Sequence, residues 1–64
     1  MKKKEIKNLA KKIAIQEKIL EDPSSTVKDI KRAEEEIMKL CSSVNGVEDM
    51  VELDDAVQEY LLTL

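Results

Sequence analysis

The sequence holds no histidine, one cysteine, one glycine, one proline and a single aromatic residue, Tyr60. Each scarcity excludes something. With Cys41 alone, no disulfide forms within one chain, which fits a reducing cytosol. Without histidine or a second cysteine, a structural zinc lacks its ligand set. No apolar run approaches the ~20 residues that a membrane-spanning helix needs. The opening Met1-Lys2-Lys3-Lys4 looks like the start of a signal peptide, but Lys7, Lys11 and Lys12 break the segment behind it. No apolar h-region follows, and a cytoplasmic location is expected.

What remains is a helical composition, 39% charged and rich in Lys, Glu, Leu, Ile and Ala. Sixty-four residues make one small domain, 1–64. A chain of this length buries only about 60% of the surface that its unfolded form exposes, so its own core is marginal. With disulfides and zinc excluded, the expected supplement is a homo-oligomer, a dimer by preference. The charge is unevenly spread. Residues 1–18 carry seven lysines against two glutamates, whereas 42–64 carry six acids and no base. Such a gradient bears on partners more than on fold.

Three helices are expected, at about 2–21, 27–44 and 47–63. In the middle segment Ile30, Ala33, Ile37, Leu40 and Val44 fall on one stripe, with Val27, Met38 and Cys41 along its flank. That apolar arc covers roughly 160°, wider than the about 100° stripe of a surface helix, and predicts a second helix lying between the other two. Asp22-Pro23-Ser24-Ser25 ends the first helix, because proline disfavours helical geometry in the residue before it. Thr26 with Asp29 makes an approximate capping box for the second helix, and Ser25 is the competing cap. A loop this short predicts an antiparallel hairpin of helices 1 and 2. Asn45-Gly46 is the second break: glycine can end helix 2, and either residue can cap helix 3. The fold class expected is all-α: that hairpin plus a C-terminal amphipathic helix, its core completed by oligomerisation.

Helix 1 buries Ile6, Leu9, Ile13 and Leu20, with Ala10 and Ala14 alongside. Gln16 and Glu17 interrupt this stripe, which predicts either looser packing there or Glu17 at its rim. Lys4, Lys7, Lys11 and Lys18 line a basic face, and Ile15 and Ile19 project from the back as a candidate second contact. On helix 3, Met50, Leu53, Val57, Tyr60 and Leu64 form the expected core or oligomer face, flanked by Leu61. Opposite them run Glu48, Glu52, Asp55 and Glu59, an acidic stripe with no lysine among it. That stripe is the candidate partner-binding face, against the plainer reading of a solvated helix side.

No catalytic, metal or cofactor constellation is present, and a non-enzymatic role is expected. Cys41 has no histidine to activate it and reads as a buried structural thiol. Ser42 and Ser43 lack a base. Glu34-Glu35-Glu36 and Asp54-Asp55 point in different directions on a helix and lack a glycine-containing calcium loop. The lysines of helix 1 invite nucleic acid, but that helix has no arginine and no aromatic to stack on bases. Nucleic acid therefore ranks last among the partners. Pairing of the lysines with the acidic helix of a neighbour is the role expected instead.

Glu5-Ile6, Leu9-Ala10, Ile13-Ala14, Glu36-Ile37-Met38-Lys39-Leu40, Glu48-Asp49-Met50, Leu53-Asp54 and Val57-Gln58 together carry a resemblance over nearly the whole chain. It resembles a group of small helical proteins encoded by phages and prophages of Gram-positive bacteria. Val27 departs from the proline expected after the helix 2 cap, which bears on boundaries. What the resemblance implies is a protein that binds and inhibits or modulates a host protein, a bacterial defence system among the candidates. The alternatives are an assembly factor acting through its own helical oligomer and, third, a small nucleic-acid-binding protein.

Overall fold

A computed structural model describes residues 2–63 as three helices packed on one another: α1 (Lys3–Glu21), α2 (Val27–Cys41) and α3 (Val47–Thr63). No strand occurs among the described residues. Leu64, expected on the core face of the third helix, lies outside them.

The boundaries follow from local chemistry. Asp22 closes α1, its carboxylate accepting from the Ser24 amide at 2.9 Å and from the Ser24 hydroxyl at 2.8 Å. These two donors hold the Asp22 carboxyl below its ordinary value. Ser25 does not cap α2; its hydroxyl donates back to the Ile19 carbonyl at 2.7 Å and satisfies the end of α1. Thr26 is the cap of α2, in a reciprocal box. Its Oγ1 accepts from the Asp29 amide at 3.2 Å, and Asp29 accepts from the Thr26 amide at 3.3 Å. By contrast, α1 begins at Lys2 with no side-chain cap.

Two expectations about the second break are corrected. Helix α2 stops at Cys41, not at 44. The Ser42 hydroxyl takes the Lys39 carbonyl at 2.7 Å, and turn bonds from Ser43 and Val44 finish the helix. Val44 thereby leaves the helical path and is buried in the core beside Leu53 and Val57. Gly46 does not end α2 either. Its φ of +137° lies immediately before α3, and its carbonyl accepts from the Met50 amide to open that helix.

The larger correction concerns which helix is central. It is α1, packed against both α2 and α3, while those two barely meet. Ile6, Ala10, Ile13 and Ala14 are buried on α1, and both alanines are fully covered. On α2 only Ala33 is fully buried, and the flank that made its arc broad faces solvent, Val27 at 83% and Met38 at 71% exposure. An alanine presents little side chain, so neighbours approach its helix closely; that matters more here than the breadth of an apolar arc. Cys41, expected to be buried, is half-buried at the edge of this core and carries a free thiol. Gln16 and Glu17 are half-buried, at the rim as the pattern implies. The molecule measures 34 × 24 × 15 Å, a flat object that leaves much helix surface uncovered.

Candidate interaction surface

Helix α3 sits on the core through Leu53 and Val57, which are buried, with Ala56, Tyr60 and Leu61 packed beside them. Met50, expected on this stripe, is 43% exposed, in the first turn of α3. Ala56 widens the packed stripe on the other edge. Glu48, Glu52, Asp55 and Glu59 are all exposed, and Glu52 and Glu59 come nearest to that edge.

Both charges of the chain meet where α3 lies along α1. A groove of about 360 Å³ between α1 and α3 is lined by Lys3, Ile6 and Lys7 on one side and by Glu52, Asp55, Ala56 and Glu59 on the other. A second one continues it past Lys7, Glu59, Tyr60 and Thr63. The basic and acidic faces thus meet within one chain, through Lys3 and Lys7. Between exposed groups such attraction is worth at most about 1 kcal/mol and is screened by salt. Lys4, Lys11 and Lys18 are also exposed and do not line this groove.

The candidate second contact divides. Ile15 stands 47% exposed on the back of α1. Ile19 is half-buried and lines a cleft with Gln16, Ala33 and the loop residues Asp22, Ser24 and Ser25. Ile19 therefore belongs mainly to the junction of α1 with α2.

The structure adds a surface outside the apolar and acidic stripes of α3. Val47, Met50, Val51, Asp54 and Gly46 surround an open depression of about 430 Å³ on the outer side of α3. Val47 is 80% and Val51 56% exposed. The signal was present as apolar i, i+3, i+4 spacing at Val47, Met50 and Val51, broken at i+7 by Asp54, and the stronger stripe through Leu53 and Val57 obscured it. Among the described residues, no three acidic or thiol side chains converge as a metal site, and no buried side-chain polar atom lacks a partner. Nor is any helix among the described residues long and apolar enough to cross a membrane. The chain matches no family model, no curated protein and no solved structure.

Proposed function

We propose that the protein is a non-enzymatic binding module of phage type that inhibits or modulates a bacterial host protein, a defence component among the candidates, in the host cytoplasm. The observation that carries this reading is the outer surface of α3. It joins exposed carboxylates at Glu48 and Asp54 to exposed apolar groups at Val47 and Val51, Glu52, Asp55 and Glu59 continue the acidic row to the α1 groove, and residues 42–63 contain no base. A continuous negative potential next to apolar anchors is a combination that steers a basic partner and then retains it. Successive like charges along a helix cost a few tenths of a kcal/mol per pair, which folding alone does not require. The five-residue connection at 22–26 is of the length that joins antiparallel neighbours, so α1 and α2 are taken as an antiparallel hairpin presenting α3 on its side.

A pull-down from bacterial lysate tests it. Wild-type protein is expected to retain one stoichiometric host protein. Glu48→Gln with Asp55→Asn should weaken that retention, mainly through slower association, and the difference should shrink at high salt. Neutral replacements are preferable to lysine here, because a lysine at 55 would face Lys3 and Lys7 across the groove. Retention of nothing, or of nucleic acid alone, refutes the reading.

The second reading, self-assembly into a dimer that completes the core, draws on a different observation. Ile15, Val27 and Met38 are exposed apolar side chains on α1 and α2, well away from the acidic face. Light scattering decides it: a monodisperse species of about 7.3 kDa at micromolar concentration excludes it.

A further inference from the structure

Resting on the binding-module reading, we infer that the outer face of α3 is a seam for one cationic amphipathic helix supplied by another protein. Val47, Val51, Asp54, Gln58 and Leu62 are spaced 4-3-4-4 along α3 and all are exposed. At 3.6 residues per turn they fall within an arc of about 80° and run for about 22 Å along the axis. Leu62, at 88% exposure, is the most exposed large apolar side chain described. Apolar groups thus stand at both ends of the seam, Val47 and Val51 at one and Leu62 at the other. Asp54 and Gln58 occupy its middle. Met50 borders one edge, and Glu48 and Asp55 the other.

The composition of the seam selects its occupant. An apolar helix laid along it would bury Asp54 without a counter-charge, and an unpaired carboxylate removed from water costs several kcal/mol. A helix with lysine or arginine at its centre and apolar residues toward its ends meets both demands. A polar pair in mid-seam also sets the register, as it does in coiled coils. The flanking Glu48 and Asp55 favour further cations on the same partner.

No helix of a second copy fits: its α2, with exposed Val27 and Met38 toward the ends, sets Glu34 and Glu35 beside Lys31 at the centre. Two α3 seams laid together bring Asp54 against Asp54, or against Glu48 and Asp55 after a slide, with no base anywhere in 42–63. The lysine face of a second copy's α1 answers the charge, but Ile15 is the one large apolar group exposed at 40% or more on that helix. It would leave Val47, Val51 and Leu62 largely unmatched.

The test uses the whole protein, isotope-labelled, and a synthetic amphipathic Leu/Lys helix about three heptads long as the probe. Binding should shift amide signals on the outer positions of 46–62. Val51→Ser with Leu62→Ser, which changes no charge, should weaken binding about tenfold or more. Asp54→Lys should do the same, with helicity unchanged by circular dichroism in each case. Undiminished binding by the serine variant would mean charge alone attracts the probe, and overturns the seam. So does a shift pattern centred on Lys3 and Lys7, absence of binding, or self-association abolished by the serine substitutions. The lysate experiment separates this inference from the reading beneath it. A host protein retained equally by the serine variant refutes the seam and leaves the module; with no host protein retained, the module falls and the peptide result decides the seam alone.

Discussion

Helices α1 and α3 are of similar length, 19 and 17 residues, and both are amphipathic, yet they occupy different places in the molecule. Helix α1 is covered from two sides and α3 from one. Both buried stripes carry large side chains, Ile6 and Ile13 on α1 and Leu53 and Val57 on α3, but α1 adds two wholly buried alanines, Ala10 and Ala14, which suit close neighbours. A second consequence follows for charge. The lysines of α1 beside its packed stripe are drawn over the α3 interface, where Lys3 and Lys7 face Glu52, Asp55 and Glu59. The outer side of α3 has no such neighbour, and its apolar groups remain open to a partner.

The sharpest way to break this comparison is within α3 itself. Val57→Asp puts a carboxylate into the core and should cost several kcal/mol, enough to abolish cooperative melting in a domain of this size. Val51→Asp, on the outer face of the same helix, should stay within about 0.5 kcal/mol. Thermal melts by circular dichroism compare them, and equal losses would show that the two faces have been assigned wrongly.

Next in size is Ala14→Leu. Added methylenes at a fully covered position force the helices apart, at an expected cost of about 1–3 kcal/mol. Ala56→Leu on α3 is half-buried and should cost less. Were Ala14→Leu neutral, close approach would not be what makes α1 central.

The helix starts offer a smaller contrast. Thr26→Ala removes the capping box of α2 and should lower stability by about 1 kcal/mol. At the uncapped start of α1, Lys2→Ser should do the reverse by a few tenths of a kcal/mol or more, since it supplies an acceptor and removes a cation from the positive end of the helix dipole. Gly46→Ala, at the start of α3, should exceed both: a Cβ would meet no atom within 4 Å, but a φ of +137° strains any L side chain, at about 1–3 kcal/mol.

The smallest effect is that of pH at the α1–α2 turn. The Asp22 carboxyl is held below its ordinary value of 3.8 by the Ser24 amide and hydroxyl. A depressed folded value means that its contribution is present above the unfolded value and lost as pH falls through the folded one. The stability difference between wild type and Asp22→Asn should therefore be constant from neutral pH to about 5 and shrink below about 4. A difference that grew on acidification would contradict the turn geometry.

Much of this fold was legible residue by residue. The all-helical class, the three segments, the capping box at Thr26 and Asp29, and the core membership of Ile6, Ala10, Ile13, Ala14, Leu53 and Val57 all follow from periodicity and local hydrogen bonding. These depend on spacing within a helix, which a sequence carries in full. The acidic row was equally plain as a row, though not the groove that three of its members share with Lys3 and Lys7.

Tertiary packing decided the rest. Which helix lies in the middle depends on how closely two others approach it, and apolar breadth misplaced that role on α2 while the buried alanines put it on α1. Packing added Ala56 to the buried stripe and left Met50 exposed at its end, set Glu52, Asp55 and Glu59 along a groove with Lys3 and Lys7, and left Val47, Val51 and Leu62 outside. It also drew Val44 off the end of α2 into the core. Periodicity records which residues share a helix face. Only the assembled helices, each competing to cover the same few side chains, determine which of two apolar faces is buried and which is left for a partner.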